Sequence, residues 1–231
     1  MPRLILFDID GTLLHTSGAG VRGMNKAFAV LYGRDGALDG VPIAGRTDRA
    51  IVTDAMRRIG VEPTDAEIVR LRDAYIERLP GELAAPIPGK PHHVIPGVTD
   101  LLAALEGEDD AITALLTGNF LKGAIAKLGH FGIWDRFAFG AFGDDHLDRR
   151  DLVPIGLRRA SEAGHGTVPA HHAIVIGDTP SDIDCARAHG ARSIGVTTGP
   201  FDRATLEAAG ADLVVDSLSE TEPVLALIRS E

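Results

Sequence analysis

Short apolar runs bounded by turn residues recur along the chain: LILF at 4–7, AITALL at 111–116, FAFG at 137–140, AIVIG at 173–177, SIGV at 193–196 and DLVV at 212–215. Most are continuous rather than alternating, as strands covered on both faces are. Between them the apolar spacing turns helical, at 97–106, 120–129, 152–163, 180–189, 202–209 and 219–230. Thr179 followed by Pro180 reads as an N-cap and first helical residue, with Gly190 just past the end. Ser219 with Glu222 has capping-box spacing. This alternation predicts an α/β fold, a Rossmann-like parallel sheet flanked by helices.

Residues 15–90 break the pattern. Only helical signals occur there, at 19–32, 48–59 and 65–79, with Thr64 and Glu67 spaced as a capping box. The Pro- and Gly-rich stretch 80–97 then leads back toward the sheet as a loop. The expected division is a core of residues 1–14 and 91–231, with a small all-helical cap, 15–90, inserted after the first strand. Such an insert would stand over that strand's C-terminal end, where open α/β sheets bind ligands. Gly18 and Gly20, at its entrance, are candidate hinges.

The acids give this edge its chemistry. LILFDIDGTLL at 4–14 ends an apolar run with Asp8 and Asp10, which strand alternation would point to one face. GDTPSDID at 177–184 ends another with Asp178 and, in the next helical turn, Asp182. If both strands are central and parallel, the four acids converge. Two carboxylates about 6 Å apart repel by roughly 3 kcal/mol at an effective dielectric near 20. A hard divalent cation relieves that repulsion, and Mg2+ suits an all-oxygen donor set best. Asp182 also has the position of the acid in a Thr179 capping box. LLTGN ends the run 111–116 with Thr117, Gly118 and Asn119, groups able to bind phosphoryl oxygens without adding charge. DRRDL at 148–152 places Arg149 and Arg150 before a helix, where one arginine could neutralise a transferring phosphoryl group.

Composition narrows the setting. The 231 residues are 45% hydrophobic and 24% charged, an ordinary globular balance. A net charge of −10 argues against a nucleic-acid surface but not against a small phosphorylated metabolite, since a few local cations can govern one pocket. With one cysteine, Cys185, no intrachain disulfide forms and a reducing compartment is expected. No apolar run approaches the roughly 18 residues that span a bilayer, and the first residues lack the apolar core of a signal peptide, so no membrane partner and a cytoplasmic location are expected. His92–His93 and His171–His172 are read as solvated loop residues, and Trp134 as a packing corner. Oligomeric state has no signature in the sequence.

DIDGT at 8–12, Thr117, the basic residues at 149–150 and GDTPSD at 177–182 together resemble the four motifs of the haloacid dehalogenase-like hydrolases, over nearly the whole chain and in the right order. The third departs from the pattern, with two adjacent arginines where lysine is common. The resemblance implies a phosphatase with Asp8 as nucleophile and Asp10 as acid and base. It implies Mg2+ held by Asp8, the Asp10 main-chain carbonyl, Asp178 and Asp182, and phosphoryl oxygens held by Thr117 and Arg149 or Arg150. A dehalogenase or a phosphonate-cleaving relative using Lys26 would usually lack the second acid, so Asp10 speaks against both. The phosphoglycolate phosphatase group is most alike, with a β-phosphoglucomutase-like mutase or a non-catalytic phosphate-binding regulator as alternatives. AGRTDRA at 44–50 resembles the specificity loop of capped relatives, which makes Arg46 a candidate substrate-binding residue beside Gly118 and Asn119. It equally reads as a glycine turn before a helix capped by Thr47 or Asp48.

Overall fold

The computed structural model describes residues 2–230. β1 (Arg3–Phe7) and the short β2 (Leu14–Thr16) lead into α1 (Ala19–Tyr32), α2 (Asp48–Arg58) and α3 (Asp65–Leu83). β3 (His92–Val94) and α4 (Val98–Glu106) return the chain, and β4 (Ala111–Leu116), α5 (Leu121–His130) and β5 (Gly140–Ala141) follow. α6 (Leu152–Ala160), β6 (Ala173–Gly177), α7 (Pro180–Arg187), β7 (Arg192–Val196), α8 (Arg203–Ala209), β8 (Leu213–Val215) and α9 (Thr221–Arg229) complete it.

Among the described residues, six of these strands form one parallel sheet in the order β5-β4-β1-β6-β7-β8. The continuous apolar runs have the expected cause. Ile5 and Phe7 of β1 pack into one buried cluster with α4, α5 and α9, while Leu4 and Leu6 pack into another with α6 and α7. Each such side chain fully removed from water stabilises the fold by about 1.5–3 kcal/mol. Leu128, Val224 and Ile228 close the first face, and Leu152, Val153 and Ala186 the second.

The helices α1–α3 surround a further apolar cluster that includes Met24, Phe28, Met56, Leu71 and Leu79. α3 continues four residues beyond the expected end at 79, with Pro80 inside it. The last turn is held by the buried Glu82, whose carboxylate accepts from Arg22 Nε at 2.8 Å and pairs with Lys26. That contact commits Lys26 to a structural ion pair.

Several expectations need correction. The stretch 80–97 is not all loop, because His92–Val94 pairs antiparallel with Leu14–Thr16 as a two-stranded ribbon. His92 and His93 therefore sit in a strand, and the His92 ring packs on His130 and Phe131. FAFG contributes only Gly140 to the short strand Gly140–Ala141, since a 3-10 turn at Trp134–Arg136 occupies the chain just before the run. α6 ends at Ala160 in a wider turn that breaks at Gly164. Ser219 does not open the last helix. Ser217 Oγ accepts from the Ser219 N–H, Glu220 accepts from the Asp216 N–H, and the helix begins at Thr221. Among the described residues no helix is long and apolar enough to cross a membrane.

Candidate active site

β1 lies between β4 and β6, and the chain's crossovers lead to opposite sides of it, which makes its C-terminal end a topological switch point. The Asp8 N–H donates to Ile176 O at 2.9 Å, carrying the β1–β6 ladder to its last rung. Asp8 and Asp178 thereby leave adjacent strand tips side by side, with Thr117 at the tip of β4 on the other flank. The strand ends at Phe7, however, so alternation does not aim Asp8 and Asp10 together. The chain turns at Gly11, whose φ is +82°, and the two carboxylates take different partners. A side chain at Gly11 would also strike the Asp178 carboxylate.

Asp8 is buried and accepts the Arg149 guanidinium at 3.1 Å. The same guanidinium nitrogen pairs with Asp182, whose other oxygen accepts from the Thr179 N–H at 3.0 Å. Asp182 thus serves as the capping-box acid through one oxygen and meets Arg149 through the other. Asp178 receives a long 3.3 Å hydrogen bond from the Thr12 hydroxyl. Asp8, Asp178 and Asp182 each offer an oxygen within 4.8 Å of the others. Burial pushes the Asp8 carboxyl up to about 6; Arg149 pulls against this, while Asp182 and Asp10 add to it. Burial, then Asp8 and Asp182, hold the Asp178 carboxyl well above its usual value. One arginine does not neutralise three buried acids. An all-oxygen set carrying excess negative charge fits a hard divalent cation.

Burial separates the two adjacent arginines. Arg149 lies against Asp8 and Asp182, whereas Arg150 is 57% exposed and pairs with Asp148.

Asp10 faces a separate group. Lys127, buried on α5, donates to Asp10 at 2.6 Å and to the Asn119 side-chain oxygen at 2.6 Å. The Asn119 amide donates to Asp10 at 2.9 Å and to the Thr117 hydroxyl at 2.8 Å. Burial raises the Asp10 carboxyl, but Lys127 and Asn119 outweigh it and hold the group below its ordinary value. Lys127 was not singled out in the sequence. Two turns into an amphipathic helix, it has no spacing relation to Asp10, and only the packing of α5 brings it there.

The segment 46–48 clamps the Thr117–Asn119 loop. The Asp48 N–H donates to Gly118 O at 2.6 Å, and the Phe120 N–H donates to the Asp48 carboxylate at 2.8 Å. A side chain at Gly118 would collide with the Arg46 carbonyl, so this approach requires glycine. Thr47, not Asp48, caps α2, accepting from the Ala50 N–H at 3.1 Å. Arg46 borders the cavity, but its guanidinium donates to Asp54 at 2.7 Å and to Pro42 O at 3.3 Å. Arg46 thus stands at the cavity wall with its charge paired to Asp54.

Asp48 supplies a pH prediction. Burial pushes its carboxyl from 3.8 up to about 7, against the pull of Lys127. Between these values the folded chain keeps a proton that the unfolded chain has lost, so stability falls as pH rises. Asp48→Asn removes this penalty and keeps an acceptor for the Phe120 N–H. Melting temperatures across pH are expected to show the variant more stable than the parent near about pH 8, the gap closing toward about pH 4.

Residues 149–221 match a family model described as HAD-hydrolase-like. A protein of Dickeya dadantii (strain 3937) named Probable phosphatase IndB is 29% identical over 227 residues, covering 95% of this chain and 92% of that one. A phosphoglycolate phosphatase of Pectobacterium atrosepticum is 26% identical, covering 96% and 92%. The crystal structure of CbbY from Rhodobacter sphaeroides in complex with phosphate superposes with a TM-score of 0.72 at 25% identity, covering 95% and 96%.

Proposed function

We propose that the chain is a haloacid dehalogenase-like phosphatase, with Asp8 as its nucleophile and Asp10 as its acid and base, acting on a small phosphomonoester. The observation that carries this reading is the division of partners at one strand tip. Asp8 meets Arg149, Asp178 and Asp182, while Asp10 is turned to Lys127 and Asn119.

The Asp8 carboxylate attacks phosphorus, the ester P–O bond breaks, and Asp10 passes its proton to the departing oxygen. Water then attacks the aspartyl phosphate, Asp10 takes a proton from that water, and inorganic phosphate leaves with Asp8 restored. The sum is ester plus water giving alcohol plus phosphate. Lys127 favours the ionised Asp10 needed in the second half. The approach of a phosphoryl dianion opposes Lys127 and favours the protonated form needed in the first. Arg149, the Thr117 hydroxyl and the Gly118–Asn119 backbone hold the phosphoryl oxygens. Asp8, Asp178, Asp182 and the Asp10 main-chain carbonyl would hold Mg2+, which would supply positive charge to the transferring group.

We read residues 15–90 as a cap that encloses the substrate, with its segment 46–48 set against Gly118 of the core. Phosphoglycolate, named for one of the relatives, is the reference substrate. Phosphate release from a panel of small phosphomonoesters tests the proposal. Release is expected to stop on chelation and to return with Mg2+; release that persists undiminished in chelator contradicts it.

A further inference from the structure

The cavity between the carboxylate cluster and α1–α3 encloses about 470 Å³, within the range that receives ligands much larger than glycolate. Away from the acids its walls are Val21, Met24, Leu38, Ile43 and Ile51. Three Lys or Arg side chains border it among the described residues, and each already has an acid. Arg149 meets Asp8 and Asp182, Lys127 meets Asp10, and Arg46 meets Asp54. His15 adds no charge at neutral pH, because burial and the neighbouring His93 lower its basicity. The remaining polar wall adds no cation: Thr16, Tyr75, Asn119 and Thr198 are neutral, and Asp48, beside Gly118 and Asn119, is an acid.

A leaving group with its own carboxylate would therefore lose hydration in this cavity without gaining an unmatched cation. Burying an ionised group without a partner is strongly unfavourable. An uncharged alcohol incurs no such cost, and an apolar face on it gains contact with the five aliphatic walls.

We propose that the natural substrate is the phosphomonoester of an uncharged alcohol larger than glycolate, with an apolar face toward Val21, Met24 and Ile51. This rests on the phosphatase reading above and narrows it to a substrate class. Arg46 and Asp54 form the gate that sets the charge preference: while they are paired, the far wall offers no cation to an anionic tail. Asp54 itself does not line the cavity, and its side chain is 38% exposed.

The experiment compares benzyl phosphate with phosphoglycolate, two alkyl esters whose leaving alcohols have similar basicity, on the full chain with Mg2+. The expected kcat/KM is at least about tenfold higher for benzyl phosphate, the effect of one unmatched charge. In Asp54→Ala, which releases Arg46, phosphoglycolate is expected to gain about tenfold while benzyl phosphate stays unchanged. Equal or better turnover of phosphoglycolate by the unaltered chain overturns the proposal. So does an Asp54→Ala variant that moves both esters alike or neither. Absence of release from every ester, or release that survives Asp8→Asn, is a different failure: it removes the phosphatase reading, and this inference falls with it.

Discussion

Asp8→Asn is expected to abolish phosphate release, by roughly 10⁴-fold or more, while leaving the chain folded and more stable than the parent above about pH 6. The two effects share one cause. Asp8 is buried beside Asp182 and Asp10, and its carboxyl is pushed up to about 6 from 3.8 despite Arg149. Over that interval the folded chain binds more protons than the unfolded chain, so ionising Asp8 lowers stability as pH rises. An amide keeps the shape and an acceptor for Arg149 but carries no charge, and it cannot form the acyl phosphate. Parallel activity and melting curves check this. A variant less stable than the parent at every pH would mean that Asp8 serves chiefly as a structural counter-charge.

Arg149→Met is expected to be the most destabilising single change at the site. It leaves Asp8 and Asp182 buried without their shared cation, and breaking a buried pair in this way costs about 3–5 kcal/mol. That is a large part of a domain's usual total of about 5–15 kcal/mol. Activity falls too, since the methionine offers nothing to a phosphoryl oxygen. Mg2+ is expected to recover part of the lost stability, because it supplies charge to the same three carboxylates. Denaturant melts with and without the ion measure this; a loss below about 1 kcal/mol, or no response to Mg2+, contradicts the counter-charge role.

The order of elements was largely legible because the sheet is buried on both faces. Continuous apolar runs reported β1, β4 and β6, and the helical spacing at 19–32 matched α1 from end to end. The β2–β3 ribbon was hidden for the opposite reason. LHT and HHV are three residues each and rich in histidine, and their pairing depends on contacts between distant segments. Asp8, Asp178, Asp182 and Arg149 were legible as a group because each lies at a strand tip, in the first turn of a helix or just before one. Lys127 and Asp48 were not, since what makes them notable is tertiary: one arrives on the packed face of α5, the other through the clamp on Gly118. Arg46 shows the converse limit. Its loop is where the motif suggested, but the acid that occupies it, Asp54, lies eight residues on and two turns into α2.

The proposed route passes through a covalent phosphoryl group on Asp8. The most direct measurement is a borohydride quench during turnover with Mg2+, which reduces an acyl phosphate to the alcohol, followed by peptide mass spectrometry. A reduced side chain is expected at position 8, dependent on both substrate and Mg2+ and absent from Asp8→Asn. Reduction at another residue, or none while phosphate is being released, would contradict it.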